Sequence, residues 1–157
     1  MTDIENLAKL FAALGAADPE SWARSEIEEG LPQLARYRLL RAVAHDVAGW
    51  ERAALRWTEA YQHGGPASDA MARALAAGVS VDDLGTIARE VARETAFGLL
   101  YRLSDPADDT APAGVEDELP SWELVEVSAT GEATGRVLAG LYEDMAELDG
   151  TQEGEGR

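Results

Sequence analysis

Between Pro32 and His63 the chain reads as one long two-faced helix, and that reading restricts the fold more than any other stretch. Leu40, Val43, Val47, Trp50, Ala54, Trp57 and Tyr61 follow one another at intervals of three and four, which puts them on one stripe. At about 100° per residue, Arg38, Arg41, His45, Arg52 and Arg56 gather within roughly 60° of one another on the opposite face. The apolar stripe requires a partner helix; the arginine stripe requires water, acids or phosphate. Pro32 suits the first helical position, and His63-Gly64-Gly65-Pro66 ends the helix. Gly49 inside it costs about 1 kcal/mol relative to alanine, so it marks a close crossing or a kink.

The flanking segments supply the partners. Ile4, Leu7, Phe11 and Leu14 make the apolar face of a first helix that stops near Gly15. Asp18-Pro19 opens a second, with Trp22, Ala23 and Ile27 as its buried residues and Gly30 as its stop. Ser68 caps a short helix over 69–77. Ser80 caps a longer one from Val81 to about Leu103, with Asp82 and Asp83 where the helix dipole favours acids. After Ala96 this helix is apolar nearly all round, so its end belongs at the centre of the core. Residues 104–121 read as a loop, 122–127 as a strand, 128–135 as a turn and 136–142 as a returning strand. A short helix over 143–148 and a disordered acidic tail over 149–157 complete the chain.

The fold class expected is therefore mainly α: a compact bundle of about five helices with a small C-terminal β-hairpin. Residues 1–148 form a single domain, a length sufficient for a real core. There are no cysteines, hence no disulfides, thiolate metal site or cysteine nucleophile. No run approaches the roughly 18 apolar residues of a membrane span. The N-terminus, with Asp3 and Glu5, lacks the pattern of a signal peptide, which points to a cytoplasmic protein. Abundant alanine, and arginine in place of lysine at all bases but Lys9 and the histidines, suggests a bacterial gene rich in GC.

The net charge of −17 is uneven. Residues 1–66 carry 10 acids and 7 bases, residues 67–104 carry 5 and 4, and residues 105–157 carry 15 and 2. The last third thus holds −13 of the total, a field that repels nucleic acid and favours basic partners. The candidate partner-binding residues are Arg38, Arg41, Arg52 and Arg56 on one side, and Glu116, Asp117, Glu118, Glu123 and Glu126 on the other. The acidic third can dock on this protein's own arginine face, aided by burial of Trp122, Leu124 and Val125, or on a partner. The apolar stripe is also compatible with a homo-oligomer.

Residues 70–90 fit the small, glycine and apolar positions of a helix-turn-helix at Ala74, Gly78, Val79, Leu84 and Ile87. The outward positions of its second helix are Asp82, Asp83, Gly85, Thr86 and Glu90, with Arg89 the lone base, which is the wrong chemistry for phosphates and base edges. His45 and His63 stand in no metal-ligand spacing, and Glu90 with Glu94 lacks a matching pair of carboxylates. No phosphate loop or nucleophile motif occurs, so neither catalytic residues nor a cofactor or metal is expected.

The stretch Trp22-Ala-Arg-Ser-Glu-Ile-Glu-Glu-Gly-Leu-Pro-Gln-Leu-Ala-Arg36 resembles a segment of a group of small bacterial proteins without an assigned activity. Ala74 through Tyr101, Trp122-Glu-Leu and Gly140-Leu-Tyr-Glu are similar to their second half. The resemblance implies one unit spanning most of the chain and no particular chemistry. The expected function is a non-enzymatic acidic interaction module, an adaptor or immunity-type protein that binds a basic surface; the alternative is a helix-turn-helix regulator of transcription.

Overall fold

The computed structural model describes residues 3–106 and 119–145. The chain is mainly helical, with one two-stranded antiparallel hairpin near its C-terminus. The helices are α1 (Asp3–Ala13), α2 (Pro19–Glu29), α3 (Gln33–Arg52), α4 (Ala54–Gln62), α5 (Ser68–Ala76) and α6 (Val81–Ser104). The strands are β1 (Val125–Val127) and β2 (Ala133–Val137), followed by helical residues 141–145. The tail expected over 149–157 lies outside the described residues. The chain forms two compact units, Met1–Arg41 with Gly98–Arg157, and Ala42–Phe97.

The first unit is built around an aromatic cluster. Phe11 of α1 stacks on Trp22 of α2 with centroids 5.9 Å apart, and both meet the edge of Tyr37 of α3, at 5.6 and 5.4 Å. Local signals set the corner beneath it. Asp18 accepts the Ser21 amide at 3.0 Å, Pro19 opens α2, and Gly30 closes it in the left-handed conformation. Leu40, Leu100, Leu138, Leu141 and Met145 are the other large buried side chains of this unit.

One expected core residue of α2 is exchanged for another. Ile27 is exposed and Glu26 is buried at 8 %. The physical reason is the start of α3, whose first amides lack helical partners. Glu26 Oε2 accepts the Leu34 amide at 2.7 Å, and Oε1 accepts from Arg136 Nη2 at 3.1 Å. The carboxylate is thus a cap supplied by the preceding helix, placed where the dipole favours an anion.

Arg136 also grips Glu126 through Nε and Nη2, at 2.8 and 2.7 Å. Burial works against its charge, but the hydrogen bonds it donates to Glu126 and Glu26 outweigh that, and its pKa is raised. Arg36 makes a comparable contact, with Asp144 and the Gly140 carbonyl. The hairpin is therefore held by one of its own bases on an acid of α2. Its inward residues are Glu126 and Arg136, whereas Trp122, Val125, Val127 and Val137 are exposed. Of the three residues expected to be buried there, Trp122 and Val125 are exposed and Leu124 is half-buried. The strands are also shorter than expected, and the register between Val125↔Val137 and Val127↔Ala133 is broken by a bulge near Gly135, whose φ is 78°.

Burial pushes the Tyr37 hydroxyl above its ordinary pKa of 10.0, with Arg41 pulling the other way. A group protonated more tightly in the folded state contributes stability that is full below its unfolded pKa and is lost as pH rises through the folded one. Urea midpoints should therefore fall from about pH 10 upward, and Tyr37→Phe should flatten that slope. Tyr142, raised chiefly by its hydrogen bond with Glu143, acts in the same window.

In the second unit the single long helix expected over 32–63 is two. The helix is interrupted at Ala53, with φ −105° and ψ 20°, between α3 and α4, although the Ala53 amide still bonds the Gly49 carbonyl at 3.0 Å. The Trp57 indole donates to the Trp50 carbonyl at 2.6 Å across the break. The buried residues here are small: Ala44, Ala48, Ala54 and Thr58, with Val47 and Met71. α6 crosses at Gly85, where a Cβ would stand 2.8 Å from the Ala54 Cβ and 3.4 Å from the Glu51 backbone. Glu51 holds the crossing by accepting from Thr86 Oγ1 at 3.2 Å and Arg89 Nη1 at 3.1 Å.

Gly49, expected to mark a close crossing or a kink, is the place of neither: a Cβ on it would meet nothing within 4 Å, the crossing is at Gly85, and the interruption is at Ala53. The two glycines should respond with opposite signs. Gly85→Val should lower unfolding free energy by about 1–3 kcal/mol through overpacking. Gly49→Ala should raise it by up to about 1 kcal/mol through helix propensity. Urea titration of the two variants checks both.

Ser80 caps α6 as expected, taking the Asp83 amide at 3.0 Å. Ser68 does not cap α5; its hydroxyl reaches back to the Gln62 carbonyl at 3.4 Å. The end of α6 is not central: Leu100 is buried, but Leu99 is 61 % exposed and Tyr101 and Leu103 are exposed too.

Candidate partner-binding site

The arginines expected to act together are found in different settings. Arg38 and Arg41 are exposed on the first part of α3, and their side chains make no hydrogen bond or ion pair among the described residues. Arg52 donates to the His45 carbonyl at 2.9 Å. Arg56, on α4, likewise has no ion-pair partner among the described residues. Of the acids, Glu123 is exposed, Glu126 is engaged by Arg136 and Thr134, and Glu116, Asp117 and Glu118 lie outside the described residues.

Two surfaces of the unit Ala42–Phe97 remain. The first is the outer face of α6. Ile87 and Val91, four residues apart, are 58 % and 61 % exposed. On the helical period Asp83, Glu90 and Glu94 fall within roughly 60° of Ile87, and all three are exposed. Arg93 lies between Glu90 at 3.0 Å and Glu94 at 2.6 Å, so two carboxylates share one guanidinium and the face stays acidic. Ile87, an apolar position of the expected helix-turn-helix, is thus at the surface rather than buried.

The second surface is a groove of about 330 Å³ beside the α3–α4 break. Gly49 and Ala53 form its floor, and Trp50 and Trp57, edge to face at 5.8 Å, one wall. On the helical period His45 and Arg56 fall on the side away from the tryptophans and Asp46 falls at the α3 end, with His45 Nδ1 3.6 Å from Asp46. Tyr61 extends the aromatic wall at 5.9 Å from Trp57. Trp50, Trp57 and Tyr61 belong to the stripe that was expected to be covered by a helix; Trp50 and Tyr61 are exposed and Trp57 is half-buried. The break at Ala53 is what the periodicity did not signal. Gly49, a glycine with no structural need for one, is the one sequence mark of the groove.

The corner between α5 and α6 is a regular one. The Gly78 amide bonds the Leu75 carbonyl at 3.0 Å, the Val79 amide bonds that of Ala74 at 3.1 Å, and Gly78 has φ 87°. Among the described residues there is no group of three or more His, Cys, Asp or Glu side chains placed to hold a metal. No described helix is long and apolar enough to cross a membrane. No family model, curated protein or solved structure matches the chain.

Proposed function

We propose that this protein is a non-enzymatic interaction module whose outer α6 face engages a basic, partly apolar surface of another protein, as an adaptor or an immunity-type inhibitor does. The observation that carries the reading is the exposure of Ile87 and Val91 among Asp83, Glu90 and Glu94. Exposed branched side chains rimmed by like charges are the composition of a contact patch with a charged rim. The net charge of −17 supplies long-range attraction for a basic partner and repulsion of polyanions.

The competing reading, a helix-turn-helix regulator, draws support from the regular corner at Gly78. Against it stand the exposure of Ile87, which the motif would bury, and the engagement of Arg89 and Arg93 by acids. The test is affinity capture with the full chain at two salt concentrations. A basic protein retained at low salt, released at high salt, and lost with Ile87→Ser, Val91→Ser supports the proposal. Retention unchanged by the double substitution removes α6 from it. Micromolar binding of duplex DNA that weakens steeply with salt replaces it with the regulator reading.

A further inference from the structure

The groove over Gly49 is a different surface from the α6 face, and its charge is balanced rather than acidic, with Asp46 and Arg56 both in its lining. Gly49 is helical with ordinary backbone angles, since it is not among the glycines of positive φ, and no atom lies where its Cβ would be. Neither turn geometry nor a close crossing therefore calls for glycine. What the missing side chain does is keep the groove floor open beneath Trp50 and Trp57. One wall is aromatic and partly exposed, and Arg56 on the other has no ion-pair partner among the described residues. Tryptophan, tyrosine and arginine are the residues that dominate binding energy at protein contacts. The volume is at the small end for ligand pockets, enough for one large side chain and its neighbours. Along the helices, Asp46 and Arg56 are separated by about 15 Å, which an extended chain of about five residues covers.

We propose that this groove binds a short extended peptide segment of another protein, with an aromatic side chain seated against Trp50 and Trp57 over Gly49, and a carboxylate paired with Arg56. Asp46 at the far end favours a segment that carries its acid on one side of the aromatic residue only. The anchor is apolar, so binding responds weakly to salt. That separates it from the salt-sensitive contact proposed for α6.

The test follows the indole N–H signals of all four tryptophans by NMR, in the full-length protein, during titration with acetyl-Ala-Ala-Phe-Asp-Ala-amide. Saturable movement of the Trp50 and Trp57 signals, with Trp22 and Trp122 unmoved, is the expected result. Arg56→Gln should weaken binding about three- to fivefold, the scale of an exposed ion pair. Gly49→Leu, which fills open space and keeps the helix, should abolish binding with helical content unchanged by circular dichroism. The proposal is overturned if no saturable movement occurs up to millimolar peptide, or if Gly49→Leu binds as well as the parent. It is also overturned if a lysine in place of the aspartate binds equally. Phenylacetate binding as tightly as the peptide would make the groove a site for small aromatic acids instead.

Discussion

Phe11→Ala should lower the unfolding free energy by about 3–5 kcal/mol, the cost of truncating a buried ring whose neighbours cannot close the space. Phe11 has no exposed surface and touches two aromatic rings from two other helices. Removing it deletes the common partner of Trp22 and Tyr37 and leaves a cavity where α1, α2 and α3 meet. The local signals at Asp18, Pro19 and Gly30 would survive, so the helices would persist while their packing loosened. Urea unfolding followed by tryptophan fluorescence reads both effects. A loss under 1 kcal/mol would mean that the three rings do not form the centre of this unit. Leu10, one residue earlier and exposed, is the control: Leu10→Ala should cost far less.

Arg136→Met should cost about 3 kcal/mol, because it leaves two carboxylates without their shared cation. Glu26 would retain the Leu34 amide, but its Oε1 would face a methyl group in a site only 8 % exposed. Arg136 itself is about one-third exposed, which keeps the estimate at the low end for a broken buried pair. The diagnostic measurement is a double-mutant cycle with Glu26→Gln. The two substitutions together should cost less than the sum of each alone, by about 1–3 kcal/mol, if the pair acts as a unit. Strict additivity would show that the hairpin is held by Leu138 and Leu141 and that the ion pair is incidental. Hydrogen exchange of 125–137 in the single variant localises the loss: opening confined to the hairpin is expected, with α1 and α2 still protected.

Much of the helical framework was legible from residues alone, wherever the determining interaction is local. Asp18-Pro19, Gly30, Ser80 and Gly78 mark ends because a cap or a left-handed residue acts over three or four positions. Phe11, Ala23, Leu40 and Val47 are buried as periodicity indicated. The hairpin was legible as two β-prone runs around turn residues, although its bulge shortened it. The candidate sites were much less so. Arg56 was singled out, but as part of a stripe on a continuous helix; the aromatic wall it faces was assigned to the core.

What only the tertiary structure decided is which apolar and charged residues find partners. Periodicity says which side chains share a face. It cannot say whether a second element arrives to cover that face. Ile27 and Glu26 are neighbours on α2, and the choice between them rests on the bare amides of α3 and on Arg136, 110 residues away. Gly85 was read as an outward position and is a crossing point, because small residues on two helices allow their backbones to approach. That approach is made at Ala54 and the Glu51 backbone, whereas Ile87, Val91 and Trp50 are left at the surface. Sequence fixes local geometry through short-range hydrogen bonds and sterics; burial depends on long-range packing, and here the packing is closed by the smallest side chains.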